Sequence, residues 1–191
     1  MISRDDVGTP FKVCEAIMEA PKPPKIVVIG AGSAIFGLSS LATILRSPRL
    51  RGSELVHEPN LELMAQLAEV MNREWGAEMR INAYTERTKA LPGADFVIVT
   101  VQVGQREAVW RLGWEIPLKY GLRQPYAENS GPGAFAHTAR NMPLILDIAK
   151  DMERYCPKAL FMNFTNPLIR LTWGVQRYSS VPMVGLCHQL E

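Results

Sequence analysis

Five residues, Lys25-Ile26-Val27-Val28-Ile29, run directly into Gly30-Ala31-Gly32-Ser33, and this junction constrains the fold more than any other part of the chain. A continuous β-branched run of that length predicts a strand covered on both faces, the kind found inside parallel sheets. Gly-x-Gly directly after such a strand, with a helix following, is the context of a dinucleotide-binding turn. Gly30 permits the tight reversal, Gly32 lets the backbone approach a pyrophosphate, and the helix N-terminus, opening at Ser33, stabilises the negative charge. The third glycine of that fingerprint is absent: Ile35 stands in its place and Gly37 follows two residues later. An ordinary strand-to-helix turn has the same outline.

The rest of the chain repeats the alternation. Strands are expected at Glu54–His57, Met79–Ala83, Phe96–Val101, Leu160–Asn163 and Met183–Leu186. Helices are expected over 33–46, 60–75, 85–91, 133–154 (with Pro143 kinking it) and 167–178, the last with proline in its first turn. Six strands alternating with helices, most of them continuous apolar runs, define an α/β chain with a Rossmann-like, doubly wound, mainly parallel sheet. The domain is expected to run from 25 to 191. Residues 1–24 form an appendage whose Pro21, Pro23 and Pro24 read as a stiff linker.

At the end of the second strand stands Glu58, suited to hydrogen-bond a ribose diol. It lies beyond the usual spacing of ~20 residues because polar residues 47–53 lengthen the loop. A carboxylate there repels a 2′-phosphate, which favours NAD over NADP. An exposed glutamate at a strand end would look the same.

Composition narrows the class. Of 191 residues 47% are hydrophobic, so a real core can be buried, and 21 basic against 19 acidic side chains leave a formal charge of +2. That balance offers neither a nucleic-acid groove nor a polybasic membrane patch, and the apolar runs are too short to cross a membrane. Residues 1–20 lack the continuous apolar stretch of a secretory signal. Three scattered cysteines, Cys14, Cys156 and Cys187, make no disulfide framework and fit a cytoplasmic location.

Ligands of doubly wound sheets bind outside the carboxyl ends of the strands. Gln102 to Arg106, Asn163 to Asn166, and the pair Cys187-His188 all fall at that edge. Thiolate and imidazole suit a soft or borderline divalent metal. Adjacent residues on an extended segment point to opposite faces, so a buried cysteine beside an exposed histidine is the competing arrangement. For His57 and His137 no partner is evident, and structural roles are expected.

Six segments occur together in order: IGAGSAIFG (29–37), GADFVIVTVQVG (93–104), RLGWEIPLKYGL (111–122), ENSGPG (128–133), MNFTNPLIRLTWGV (162–175) and VGLCHQ (184–189). In that order and spacing the chain resembles glycoside hydrolase family 4, the NAD- and manganese-dependent glycosidases, from about Lys25 to His188. The resemblance implies hydrolysis of a small-molecule glycoside by an unusual route, outside the two-carboxylate scheme. NAD oxidises C3 of the sugar, a base removes the acidified C2 proton, the C1 leaving group is eliminated, water adds, and C3 is reduced again. A divalent metal stabilises the developing enolate oxygen.

Carried over by position, the resemblance makes Cys187 the metal-ligand cysteine. His188 follows it as in members acting on non-phosphorylated hexosides or hexuronides. Asn166 is implied to touch the sugar hydroxyls, Arg111 to line the sugar site, and Glu128 to assist the leaving group. There are departures. Glu58 replaces the usual aspartate, Trp114 stands where an acidic neighbour of Arg111 is common, and the PYAENSG loop is not glutamine-rich. Family members are more than twice this length. Their second half supplies a further metal-ligand histidine, the tyrosine that removes the C2 proton, and much of the oligomer interface. The full-length form is therefore expected to be a homo-oligomer, and this chain alone is expected to bind NAD without turnover. A lactate/malate-type dehydrogenase and a non-catalytic NAD-binding module are the alternatives.

Overall fold

The computed structural model describes residues 23–30, 36–57, 62–124 and 129–187. In chain order the elements are β1 (Lys25–Ile29), α1 (Phe36–Arg46), a short 3-10 turn (Pro48–Leu50), β2 (Glu54–His57), α2 (Glu62–Glu74), β3 (Arg80–Ala83) and α3 (Arg87–Ala90). There follow β4 (Phe96–Val99), α4 (Arg106–Lys119), α5 (Gly131–Tyr155), β5 (Leu160–Asn163), α6 (Leu168–Tyr178) and β6 (Met183–Gly185). The strands form one sheet in the order β3-β2-β1-β4-β5-β6, every pair parallel. This is the doubly wound arrangement expected from the alternating pattern.

Residue alternation along each strand sends side chains to opposite faces of the sheet, so a strand apolar throughout needs cover on both. Val27, Ile29, Val97, Val99 and Phe161 pack with Leu91, Ile145, Ile148, Met152, Leu171 and Val175, burying one face under α5 and α6. On the other, Ile26, Val28, Leu55 and Ile98 meet Leu41, Ile44, Leu45, Ala68 and Met71 of α1 and α2. Phe161 is fully buried, a contribution of roughly 1.5–3 kcal/mol by transfer alone. Further from the centre the cover thins: β5 buries Phe161 and Asn163 but leaves Leu160 and Met162 half-buried.

Helix α4 is an element that the sequence pattern does not announce, since Gly113 and Pro117 lie inside it. Proline lacks the N–H that would bond the carbonyl four residues earlier, and that carbonyl belongs to Gly113. The buried side chain of Gln124 replaces the missing donor, its Nε2 donating to the Gly113 oxygen at 2.9 Å. In α5 the helix continues through Pro143 as well. Both Pro143 and Ala139, whose carbonyl the proline leaves free, are exposed, so water can serve there.

Candidate functional site

The strand order reverses between β1 and β4, and the crevice of a doubly wound sheet opens at that point. Gly30 ends β1 there with φ +87°. Thr100, just beyond β4, donates its N–H to the Ile29 carbonyl at 3.0 Å, which draws the two strand ends together. A Cβ on Gly30 would lie 2.8 Å from the Thr100 carbonyl carbon and 3.0 Å from Val101 Cγ1. Both the dihedral and the space therefore require glycine. Gly30, expected to permit the tight reversal, has the positive φ that such a turn requires. Gly32, Ser33 and Glu58 lie outside the described residues.

The edge next to this turn is built from side chains. The Val101 N–H donates to Thr165 Oγ1 at 2.9 Å, tying the loop after β4 to the loop after β5. Asn163 folds the second of these loops on itself. Its Nδ2 donates to the Thr165 carbonyl and its Oδ1 accepts the Thr165 N–H, both at 3.0 Å. The Asn163 carbonyl in turn accepts the Leu186 N–H at 2.9 Å, bringing in the end of β6. Asn163 and Thr165 are buried, and this mutual bonding is what makes two polar side chains tolerable there.

Asn166 follows, half-buried, with a cis peptide to Pro167. Its Oδ1 lies 3.2 Å from the Leu168 N–H, which also reaches Asn129 Oδ1 at 3.1 Å, so an amide of the first turn of α6 is satisfied from two sides. Cys187 ends the described part of the chain just after β6, its thiol free and half-buried. The three strand-end loops therefore meet as the topology predicted.

His137 and Asn141, on α5, complete the edge. His137 is 2% exposed; its Nε2 lies 3.3 Å from Gln102 Oε1 and its ring stands edge-on to Trp110 at 6.5 Å. The Arg106 guanidinium lies 4.4 Å over the Trp110 ring, a cation–π contact. Burial, aided by the charge of Arg140, pushes His137 down to about 4. The imidazole is thus neutral at pH 7, and since the amide oxygen only accepts, Nε2 carries the proton. The structural role expected of His137 has its physical basis here. Partners of this kind leave no spacing signal, because Gln102 lies on a different element.

Arg111 is placed differently from the strand-end residues. It sits on α4 with an exposed side chain turned one helical turn along to Glu115, Nε to Oε1 2.6 Å. Glu115 supplies an acidic neighbour despite Trp114, and holds the guanidinium pKa above its ordinary value by hydrogen bonding and charge. Glu128 and His188 lie outside the described residues. Among the described residues no group of three His, Cys, Asp or Glu side chains could hold a metal ion. Cys187 alone supplies one donor where a catalytic ion usually takes about three, so the described residues do not by themselves fit a metal.

Six parallel strands in this order, with a glycine turn at the reversal and polar loops along the carboxyl edge, define a Rossmann-like, doubly wound domain. The family model described as family 4 glycosyl hydrolase matches residues 25–191. The chain belongs to that family. It is 41% identical over 171 residues to an alpha-glucosidase from Erwinia rhapontici, covering 87% of this chain and 38% of the relative. An alpha-galactosidase from Bacillus subtilis (strain 168) is 37% identical, with 87% and 40% covered. The chain thus spans about two fifths of the length of these curated relatives. A solved 6-phospho-beta glucosidase from Thermotoga maritima, with NAD and glucose-6-phosphate, superposes with a TM-score of 0.73 at 25% identity, covering 87% of this chain and 40% of that one. The same Thermotoga maritima enzyme has been solved with manganese beside NAD+ and glucose-6-phosphate.

Proposed function

We propose that this chain is the NAD-binding, N-terminal portion of a family 4 glycosidase acting on non-phosphorylated hexosides or hexuronides. The observation that carries the reading is Gly30: a positive-φ residue at the point of strand reversal, packed so tightly on Thr100 and Val101 that no side chain fits. In a dinucleotide-binding turn the first glycine makes this tight reversal, which sets the following helix N-terminus at the pyrophosphate. Gly32 and Ser33 would extend the cradle, and Glu58 would bond the adenosine ribose. The alpha-glucosidase at 41% identity supports this substrate class, and a probable 6-phospho-beta-glucosidase at 38% identity represents the phosphorylated alternative.

Bound NAD supplies reversible oxidation at C3 of the sugar, which makes the C2 proton removable and elimination at C1 possible. The chain's own residues orient and enclose. The loop of Asn166 presents an amide beside the reacting sugar, His188 contributes to the same pocket, Arg111 meets the sugar from the exposed face of α4, and Glu128 serves the departing group. Cys187 contributes one donor toward a manganese ion whose remaining ligands come from elsewhere. Among the described residues no helix is long and apolar enough to cross a membrane. A cytoplasmic enzyme, homo-oligomeric at full length, fits this reading.

Calorimetric titration of the chain with NAD and NADP, with and without manganese, tests it. Micromolar NAD binding with clear preference over NADP is expected, followed by p-nitrophenyl hexoside turnover once the remaining portion of the enzyme is supplied. A folded sample that binds neither nucleotide would leave the family membership standing and remove the cofactor role.

A further inference from the structure

Asn141 lies on α5 one turn beyond His137 and is completely buried. A primary amide at such a position is costly unless both of its ends are bonded. Both are: Oδ1 accepts the Val103 N–H at 3.0 Å, and Nδ2 donates to the Asn166 carbonyl at 2.9 Å. The two partners belong to different loops, one after β4 and the other after β5. The loops are already joined at their base by Val101 and Thr165. Asn141 joins them again further out, bonding the residue next to Gln102 in one loop and Asn166 itself in the other. A leucine would fill the same place in the helix if packing were all that mattered, but it could hold neither loop.

We infer that Asn141 is a positioning residue that locks the loops after β4 and β5 in one register and so shapes the nicotinamide and sugar end of the cleft. In a doubly wound fold the first three strands take one mononucleotide and the last three the other. With the glycine turn and Glu58 on the β1–β3 side, the loops that Asn141 locks belong to the nicotinamide half. The locking stands on the two hydrogen bonds; its consequence for the ligand rests on the NAD reading.

Asn141→Leu, with Asn141→Ser as a milder variant should the first fail to fold, tests both parts in the full 191-residue chain. Amide hydrogen exchange reads the lock. Exchange at Val103 is expected to accelerate about tenfold or more on loss of its acceptor, while the amides of β1 stay as in the parent. Calorimetry then compares NAD with ADP-ribose, which lacks the nicotinamide. Affinity for NAD is expected to fall about tenfold, the equivalent of one lost hydrogen bond, with ADP-ribose unchanged. A purely structural defect would weaken both ligands together, and that result would overturn the positioning role. Unchanged exchange at Val103 would overturn the lock itself. A parent chain that binds neither ligand would instead remove the NAD reading, with Val103 exchange still deciding whether Asn141 holds the loops.

Discussion

The two halves of the sheet present their carboxyl edges in different ways. At the end of β1 the edge is shaped by the absence of a side chain: Gly30, its positive φ, and the Thr100 carbonyl against which only hydrogen fits. At the ends of β4 and β5 the edge is shaped by side chains that replace backbone partners. Thr165, Asn163 and Asn141 bond backbone groups there, and His137 and Gln102 pair side chain to side chain beside them. The first half is thereby rigid through local sterics, and a single residue carries it. The second is rigid through long-range hydrogen bonds and spreads its dependence over several elements.

The largest expected effect lies on the steric side. Gly30→Ala adds backbone strain at positive φ, about 1–3 kcal/mol, to overpacking of similar size against the end of β4. A loss of roughly 3–5 kcal/mol in urea unfolding is expected, with nucleotide binding lost in whatever remains folded. A loss under about 1 kcal/mol would mean that the turn opens freely and is no rigid cradle.

The hydrogen-bonded half should respond less to any one change. Thr165→Val removes the acceptor of the Val101 N–H while keeping volume and branching. Leaving that half-buried donor unpaired costs about 1–3 kcal/mol, measurable as a shift in urea midpoint with unchanged m-value. If the change were neutral, the loop after β4 would be held by Asn141 and His137 alone.

A pH effect of comparable or smaller size belongs to the same half. His137 is held down to about 4, below its ordinary 6.5, by burial first and by Arg140 second. The unfolded chain therefore takes up the proton first. Its contribution is complete above about pH 6.5 and declines as pH falls toward 4, by as much as ~3 kcal/mol. His137→Gln is expected to flatten this segment of the stability profile; a profile with the same slope would assign the titration elsewhere. Smallest of all is Glu115→Ala. The Arg111–Glu115 pair is exposed on one helix face, and such pairs contribute little, so the thermal midpoint should hold. A clear drop would show that the pair reaches beyond α4.

Much of the architecture was legible because it depends on local pattern. The KIVVI and FVIVTV runs had to be strands covered twice, and their burial on both faces follows from that, with β4 ending at Val99, two residues short of the expected Val101. The glycine turn was legible for the same reason, since a turn that excludes side chains must be written as glycine. Helix α4 was not legible. Pro117 interrupts the pattern until the buried side chain of Gln124, eleven residues beyond Gly113 and past the end of α4, folds back to supply the donor that Gly113 needs. The loops that bear Asn166 and Gln102 were placed correctly at the carboxyl edge by topology alone, whereas Asn141 carried no signal at all. An asparagine in a helical stretch looks like an exposed polar position unless its partners are known.

By itself, the sequence determined the parallel sheet, the place of each strand to within two residues, the glycine turn and the membership in a family of glycosidases. The first three follow from residue type and period along the chain, and the last from the order and spacing of six motifs. Only the tertiary structure decided which polar side chains are buried and what they bind. Val103, Asn141 and Asn166 meet through the packing of α5 against the sheet, and hydrogen bonds between residues so far apart in sequence depend on distances that no local pattern encodes.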